Sequence, residues 1–356
     1  MSPSERHEAR VLLAVVGERW DEAAAARRSA PADPACFVEL ARTCDVHPQV
    51  HEALRARGAF DLAGGEEAAR LLGDLRRRVQ RDNLLLFARL EPALDVLLAA
   101  GIVPVALKGV ATLHRFGARF DERTLEDADL LVARTDLPLA LEVLERAGWT
   151  APQEPARTHW LRSSFEIPLR SPGPVAVHLE IHWSLAQRRR YRMDDEGLLR
   201  RAVPLTIAGR RVLRLDDHDA VAHLLLHHVQ HYFDHRLKWA LDLARITREP
   251  GFDWRIVVER TRAWGATAAA GMATTHLRRL FPGIVPDDVA ARFPVALWRR
   301  ALTLPLRSRD PLELFRGTRV RGVQLWLAAA LLERPLDLPG YVVHRTTRDG
   351  KEEAGP

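Results

Sequence analysis

Apolar side chains in the first hundred residues recur at intervals of three and four positions, which is the period of an amphipathic helix. The pattern is clear between Val11 and Val16 and again across residues 84–97. Gly101 follows directly and is a natural stop for the last of these helices. We therefore predict an N-terminal helical module over residues 1–101.

A different pattern begins at Ile102, where short runs of aliphatic and β-branched residues replace the helical period. These runs predict strands, and one amphipathic stretch among them predicts a helix that closes at Gly148. The predicted strands are 103–107, 125–132, 166–169 and 175–183, and the predicted helix is 137–147. Ser171-Pro172-Gly173-Pro174 predicts a tight connection between the last two strands. We predict a small mixed-sheet α/β head over residues 102–200.

Helical periodicity returns after about residue 200 and predicts a C-terminal helical bundle over residues 201–345, followed by a polar tail over 346–356. Asp216 and Asp217 predict the N-cap of one long helix that ends near Glu249. Further helices are predicted at 254–264, 268–280, 286–302 with a break at Pro294, and 323–332. The predicted fold class is α+β, with the head flanked by the two helical parts.

Composition excludes several classes of protein. The chain has 356 residues, 53 of them basic and 47 acidic, and a formal net charge of +6. Only three of the basic residues are lysines, Lys108, Lys238 and Lys351, and this arginine bias is typical of a GC-rich bacterial genome. Because the basic residues are spread along the chain rather than gathered on one element, direct nucleic-acid binding is not favoured.

The two cysteines and the apolar runs bear on location. Cys36 and Cys44 lie outside any CxxC pair, so they indicate neither a disulfide framework nor a structural zinc site. No apolar run approaches the roughly 18 residues needed to cross a bilayer. We expect a cytoplasmic protein that does not use a membrane as a partner.

Two acidic residues lie in the predicted strand 125–132. Asp127 and Asp129 are two positions apart and so share one face, and Leu130-Leu131-Val132 follows as a core-forming run. Two carboxylates held this close repel each other unless a cation lies between them. An exposed strand edge with two solvated acids is the structural alternative.

The predicted strand 175–183 alternates strictly between apolar and polar positions. Its apolar face would leave His178, Glu180 and His182 together on the other face. If this strand lies beside the acidic strand, Glu180 completes a cluster of three carboxylates with Asp127 and Asp129. Carboxylate oxygens suit a hard divalent cation, Mg²⁺ above all with Mn²⁺ as the alternative.

Lys108 and Gly109 stand between a predicted strand end and a predicted helix start. Backbone amides at a helix N-terminus favour phosphate oxygens, and the lysine adds a point charge. The dipeptide by itself is common, but its position before the two acidic strands predicts a nucleotide phosphate site.

The long helix predicted from residue 217 is rich in histidine. His227, His231 and His235 are spaced four apart, and the polar residues Asp234, Lys238 and Asp242 fall on nearly the same side. We expect this face to line the active-site cleft, with substrate contacts from His227, His231 and Lys238. Asp242 either contacts substrate or orients a neighbouring basic group. Zinc binding is not favoured, because neither an HExxH glutamate nor a nearby cysteine is present.

In this order the motifs resemble the uncharacterised nucleotidyltransferase family of the DNA polymerase β-like superfamily. The matching elements are Leu107-Lys108-Gly109, an aromatic at Phe116, Arg123, the stretch Asp127-Ala128-Asp129 with its apolar run, Glu180-Ile181-His182-Trp183, and the segment from His227 to Asp242. The resemblance covers roughly residues 80–300. Three positions depart from the family pattern: Phe116 stands where tyrosine is usual, and Thr124 and Glu126 stand where proline and a small residue are usual.

The resemblance implies a magnesium-dependent transfer of a nucleoside monophosphate from an NTP to an acceptor, a small molecule or a peptide, with pyrophosphate leaving. Asp127, Asp129 and Glu180 would be the catalytic metal ligands. The predicted nucleotide-binding residues are Lys108, Gly109 and Arg123, and the predicted substrate-binding residues are His182, His227, His231, Lys238 and Asp242.

Two other functions stay open at the level of sequence. His218-Asp219 is a dipeptide that metal-dependent phosphohydrolases favour, and further histidines follow it, although His218 lies in a helix-cap context. A non-catalytic nucleotide-binding accessory protein of a biosynthetic pathway is the second alternative.

Overall fold

The computed structural model describes residues 1–187, 190–231 and 236–303. The helix predicted at 323–332, the polar tail, and the side chains of Asp234 and His235 lie outside the described residues. The described helices are α1 Pro3–Val16, α2 Trp20–Arg28, α3 Pro34–Thr43, α4 His47–Arg57, α5 Glu66–Ala99, α6 Lys108–Arg115, α7 Leu137–Arg146, α8 Ala156–Ser163, α9 Asp195–Arg201, α10 Asp217–Gln230, α11 Lys238–Thr247, α12 Trp254–Ala263, α13 Thr267–Leu280, α14 Asp287–Ala291 and α15 Leu297–Leu302, with a 3-10 helix at Phe60–Ala63.

The strands in the described ranges form one mixed sheet of six. They are β1 Val105–Ala106, β2 Asp127–Leu131, β3 Glu166–Arg170, β4 His178–His182, β5 Val203–Ile207 and β6 Arg210–Arg214. Their spatial order is β3-β4-β2-β1-β6-β5. β2 runs parallel to β4 and β1 runs parallel to β6, while the remaining neighbours are antiparallel. The predicted α+β fold class is confirmed.

The helical character predicted for the first hundred residues is also confirmed. Ser2 and Glu5 form a reciprocal capping box at the start of α1. α5 runs for 34 residues and ends at Ala99. Gly101 follows with φ +78°, a left-handed conformation that glycine adopts without a steric penalty and that ends the helix.

Apolar side chains gather in two clusters on either side of the sheet. One cluster packs the second half of α5 and α7 against sheet residues such as Ala128, Leu130 and Ile181. The other joins the N-terminal helices to α10, α11 and α13 and reaches the sheet at Val105, Leu107 and Leu131. The sheet is therefore held between helices, and the ends of its central strands lie near α10 and α11.

The expected return to helix at residue 200 is wrong, because β5 and β6 add a hairpin to the sheet before α10 begins. The boundary at 200 therefore falls ahead of two strands of the head sheet. The turn between them has Ala208 at φ +47° and Gly209 at φ +80°, as a tight hairpin turn requires. The pattern did not reveal this hairpin because β6 reads Arg-Arg-Val-Leu-Arg, so its contribution to the sheet comes from pairing with β1 and β5 rather than from apolar alternation.

The single long helix predicted from residue 217 is two helices. Asp216 caps α10 as predicted, accepting a hydrogen bond from the amide of Asp219 at 2.8 Å. α10 ends at Gln230 and α11 begins at Lys238. The helical period of apolar residues continues across the break because Val229 and Leu237 are both buried in the same apolar cluster. Burial alone does not show where a backbone turns.

Other predicted elements match closely. α7, the β3–β4 hairpin, α12 and α13 fall within a few residues of their predicted bounds, and the helix predicted over 286–302 is broken into α14 and α15 around Pro294. α8 and α9 were not predicted. Within the described ranges, no helix combines the length and apolar character needed to cross a membrane.

Candidate active site

Parallel pairing of β2 with β4 builds the acidic face of the sheet. The register sets Asp127 beside His178, Asp129 beside Glu180 and Leu131 beside His182. Between the two aspartates, Ala128 is 2% exposed and faces the core. The alternation seen in the sequence therefore holds in both strands, and the polar positions of the two strands meet on one face.

Asp129 is the centre of this face. Its Oδ1 accepts a hydrogen bond from Lys108 Nζ at 2.7 Å and another from His182 Nε2 at 2.9 Å. His182 Nε2 also lies 3.5 Å from Glu180 Oε2. One ligand atom from each of Asp129, Glu180 and His182 lies within 4.8 Å of the others, a spacing that could hold a metal ion.

Asp127 is not a member of that three-residue group. Of the three carboxylates predicted from the sequence, the group therefore contains Asp129 and Glu180. Asp127 shares the strand face with Asp129, and both Asp129 and Glu180 act on it electrostatically. Metal binding by Asp127 stays a prediction. His182 joins the group as a partner of Asp129, and substrate contact by His182 stays a prediction.

Burial and the charges of neighbouring side chains determine which groups of the cluster carry a proton at neutral pH. Burial raises the pKa of Asp127 to about 7, and repulsion from Asp129 and Glu180 adds to the effect. Burial would also raise the pKa of Asp129, but Lys108 and the His182 hydrogen bond hold it well below its usual value. Burial lowers the pKa of Lys108, yet attraction to Asp129 and Glu180 outweighs it and leaves that pKa above its usual value. Asp129 and Lys108 are thus both charged at neutral pH.

His182 is a charged donor in this state. Burial acts to lower its pKa, but hydrogen bonds to Asp129 and Glu180 outweigh burial and raise the pKa to about 10. Both ring nitrogens therefore carry protons at neutral pH, and the imidazolium donates to Asp129 instead of offering a lone pair. The groups that can offer lone pairs to a cation are the carboxylates, which suit Mg²⁺ or Mn²⁺.

Lys108 occupies a strained backbone position at the start of α6. Its φ is +44°, a left-handed conformation that costs a residue with a Cβ of the order of 1–3 kcal/mol. Among the residues that the structure describes, no side chain forms a capping hydrogen bond with the first turn of this helix. The backbone amides of the first turn are consequently not used by a capping side chain. An anion site at a helix N-terminus requires this, because the anion binds to those amides.

Two residues of the site were missed in the sequence. Glu166 on β3 pairs in register with His182, and its Oε2 lies 3.4 Å from His182 Nδ1. The sequence does contain a signal for this contact. Glu166 is the first residue of an alternating strand that pairs with β4 in a hairpin, and the register of that hairpin sets Glu166 beside His182. It adds a fourth acid to the neighbourhood of Lys108.

Asn83 on α5 is the second missed residue. Its Nδ2 donates to the carbonyl oxygens of Phe120 and Arg123 at 2.6 and 2.7 Å, and its Oδ1 accepts from the amide of Leu125 at 3.2 Å. This one side chain, 1% exposed, fixes the segment that leads into β2. Nothing in the local sequence could have revealed it, because its partners lie some forty residues away.

The charged residues predicted to contact ligand are engaged inside the fold. Arg123 forms a buried ion pair with Asp242, with Nη2 2.6 Å from Oδ2. Lys238 Nζ lies 3.2 Å from both Glu126 Oε1 and Asp45 Oδ2. The suggestion that Asp242 orients a basic group agrees with this geometry, whereas ligand binding by Arg123, Lys238 and Asp242 stays a prediction.

The histidines of α10 form an aromatic group with α11. The His227 ring lies 4.2 Å from that of His231 and 4.4 Å from that of Trp239. Burial and the nearby positive charge of Lys108 lower the pKa of His223 and of His227 well below the usual value. His227 is therefore neutral, and it lies close enough to Lys108 for the lysine charge to lower its pKa. Substrate contact by His227 and His231 stays a prediction.

The dipeptide that favoured a phosphohydrolase is used for packing. His218 Nε2 accepts a hydrogen bond from the amide of Asp253 at 3.1 Å, and its ring stacks on Phe252. Asp219 is fully buried, with Arg201 at 2.9 Å and Arg260 at 2.9 Å. In the described part of the chain the only metal-compatible group of three or more residues is the one around Asp129, so the geometry does not favour this alternative.

Comparison with known proteins bears on the same residues. The model of a family described as an uncharacterised nucleotidyltransferase matches residues 30–282, which is most of the chain and includes the whole sheet. No curated protein and no solved structure matches the chain.

Proposed function

The chain belongs to the uncharacterised nucleotidyltransferase family, and on that premise we propose that it moves a nucleoside monophosphate group from an NTP to an acceptor in a reaction that depends on a divalent cation. The observation that carries the proposal is the parallel register of β2 and β4, which sets Asp129 beside Glu180 and leaves Lys108 in contact with Asp129. Carboxylates on two strands beside a helix start supply the two things the reaction needs, a cation site and a phosphate site.

The residues present fit a cation. Asp127, Asp129 and Glu180 offer oxygen ligands on one face of the sheet, and Mg²⁺ prefers oxygen. Burial raises the pKa of Asp127, repulsion from Asp129 and Glu180 adds to the effect, and a divalent cation would offset that repulsion. Asp127, Asp129 and Glu180 would hold the ion. When bound, such a cation stabilises charge on the attacking and leaving oxygens of a phosphoryl displacement.

The reaction forms a bond between the acceptor atom and the α-phosphorus and breaks the bond from that phosphorus to the bridging oxygen of pyrophosphate. The acceptor atom loses its proton to water, and pyrophosphate leaves. Lys108 would supply positive charge to the phosphate chain, and the leading amides of α6 would donate hydrogen bonds to it. His182 keeps Asp129 ionised and in place by its hydrogen bond.

The acceptor would lie toward the aromatic group of His227, His231 and Trp239, which borders Lys108 on the side of the C-terminal helices. The neutral imidazole of His227 can donate or accept hydrogen bonds without adding charge. We propose a small molecule or a peptide carrying a hydroxyl, amine or phosphate as the acceptor, and Mg²⁺ as the ion.

Product analysis tests the reaction class. Wild-type protein is incubated with an NTP labelled at the α-phosphate, Mg²⁺ and a panel of hydroxyl, amine and phosphate acceptors. The proposal predicts release of pyrophosphate together with transfer of the labelled α-phosphate to an acceptor. Release of inorganic phosphate that depends on His218 would support the phosphohydrolase, and Mg²⁺-independent nucleotide binding without turnover would support the accessory protein.

A further inference from the structure

Two ion pairs of opposite polarity join the segment before β2 to helix α11. Arg123 donates from Nε to Asp242 Oδ1 at 3.0 Å and from Nη2 to Asp242 Oδ2 at 2.6 Å. Glu126 accepts from Lys238 Nζ at 3.2 Å. Arg123 and Glu126 are three apart on the segment, and Asp242 and Lys238 are four apart on one helical face. We call these four residues the clamp.

Most of the clamp is removed from water. The side chains of Arg123, Asp242 and Lys238 are 7%, 6% and 5% exposed. Breaking a buried pair leaves an uncompensated charge, so the two elements are tied strongly to each other. Lys238 also reaches Asp45 at the end of α3, which links the clamp to the N-terminal helices.

The clamp touches the turn that carries Lys108. A Cβ built on Gly109 would lie 2.1 Å from Arg123 Nη1 and 2.5 Å from Leu125 Cδ2, so the guanidinium lies directly against the glycine. The same Nη1 donates to the carbonyl of Thr124 at 3.0 Å. Arg123 is thus wedged between the turn at 108–109 and its own strand segment, with no space for a side chain at position 109.

The turn needs such support. Lys108 has φ +44°, and a non-glycine residue keeps a left-handed backbone only where its surroundings impose it. Its ammonium must reach Asp129 on β2, so the turn and the strand must keep a fixed relation. Arg123 contacts the turn and lies in the segment that leads into β2 at Asp127, which places it between the two.

We propose that the clamp is a positioning device for the site: the Arg123 and Asp242 pair, backed by Glu126 and Lys238, holds the strained turn so that Lys108 faces both Asp129 and the phosphate chain. Arg123 then acts through Lys108 and does not bind nucleotide itself. The inference rests on the proposed function in assigning phosphate binding to Lys108. A lysine at 123 would keep the charge but lose the planar fork that spans Asp242 and Thr124.

Backbone amide signals of lysine test the clamp without any substrate. The chain has three lysines, so protein labelled with [¹⁵N]lysine gives three backbone amide signals, and Lys108→Arg identifies that of Lys108. Arg123→Lys and Asp242→Asn are expected to move the Lys108 signal. The introduced lysine adds a fourth signal to the spectrum of Arg123→Lys, so Lys108→Arg is combined with each variant to identify the Lys108 signal there. Asp219→Asn, which breaks another buried set of ion pairs, is the matched control and is expected to leave it in place.

Binding measured on the same variants separates positioning from general damage. Titration of Mg²⁺ alone reports the carboxylates, and titration of Mg²⁺ with ATP, GTP, CTP and UTP reports the phosphate site. Misplacement by about 1 Å can cost about 100-fold, so we expect nucleotide affinity to fall up to about 100-fold in Arg123→Lys while Mg²⁺ affinity stays within about twofold. Asp219→Asn should change neither affinity.

The outcomes are distinct. If wild type binds no nucleotide, the proposed function fails while the Lys108 signal still tests the clamp. If the Lys108 signal and the nucleotide affinity are both unchanged in Arg123→Lys and Asp242→Asn, the clamp has no positioning role. Should those variants fail to fold, Glu126→Gln serves instead, since the Glu126 side chain is 46% exposed. A smaller shift of the Lys108 signal in that variant supports the clamp, and no shift overturns it.

Discussion

Lys108 Nζ lies 2.7 Å from Asp129 Oδ1, which joins two motifs of the site that are 21 residues apart in one buried ion pair. Lys108 follows β1 at the start of α6, and Asp129 lies in β2. The pair therefore exists only because β1 and β2 are neighbours in the sheet. His182 donates to the same oxygen. Asp129 therefore pairs with two buried cations as well as being a proposed ligand, and this distinguishes it from Asp127.

Asparagine substitutions at the two aspartates should have opposite effects on stability. Asp129→Asn removes the anion between two buried cations, and breaking a buried pair costs about 3–5 kcal/mol. Asp127 has a folded pKa of about 7, raised from 3.8. Its ionisation therefore costs stability as pH rises from about 4 to 7, and Asp127→Asn should be more stable than wild type at pH 8. Urea denaturation of the metal-free proteins measures both. Equal destabilisation by the two variants would contradict this account.

Cation affinity should depend on pH through Asp127. Since the proton on this carboxyl competes with the cation, Mg²⁺ affinity is expected to rise as pH increases through about 7 and then to level off with respect to this group. Calorimetry in two buffers of different ionisation enthalpy should detect proton release on binding at pH 6.5. Asp127→Asn removes that released proton. A flat pH profile in wild type would exclude Asp127 as a ligand.

Asn83→Ala should loosen the segment that enters β2. The substitution leaves two buried carbonyls and one amide without their side-chain partner, and an unsatisfied buried group costs about 1–3 kcal/mol. Hydrogen exchange should accelerate at residues 120–126 more than elsewhere in the sheet. Asn83→Asp, which keeps the acceptor for Leu125 but sets a buried carboxylate oxygen against the two carbonyl oxygens, should accelerate exchange at least as much as alanine. Uniform acceleration across the sheet would argue against a local role.

Gly109→Ala should displace the turn against Arg123. The added methyl group would overlap Arg123 Nη1 and Leu125 Cδ2, and overpacking of this kind typically costs about 1–3 kcal/mol. Thermal denaturation measures the loss, and Gly117→Ala is a useful comparison because a Cβ there meets open space although its φ is +58°. If Gly109→Ala is no more destabilising than Gly117→Ala, the close packing of Arg123 on the turn is not rigid.

The sequence predicted those parts of the site that depend on short-range pattern. Alternation placed Asp127 with Asp129 and Glu180 with His182, and the Pro and Gly residues at 172–174 predicted the β3–β4 hairpin. Adjacency of β2 and β4 does not follow from the sequence, since pattern does not specify strand order. The structure supplies it, together with Glu166, which only the hairpin register brings to His182.

Long-range pairing accounts for what the sequence did not predict. Arg123 and Lys238 looked available for ligands because their charges are visible in the sequence while their partners, Asp242 and Asp45, are far along the chain. Glu126 is in the sequence a departure from the family pattern, and in the structure it pairs with Lys238 and Arg236. Whether a charged side chain is available to bind a ligand depends on its tertiary contacts, and sequence periodicity carries no information about those contacts.

The most direct test of the central claim is calorimetric titration of ATP, GTP, CTP and UTP with and without Mg²⁺. Wild type is compared with Asp127→Asn and with Glu142→Gln, an exposed acid on α7 as the control. We predict that at least one nucleotide binds only with Mg²⁺, that Asp127→Asn weakens it at least about tenfold, and that Glu142→Gln does not. Equal binding by wild type and Asp127→Asn, or binding that ignores Mg²⁺, would contradict a cation and nucleotide site on the β2 and β4 face.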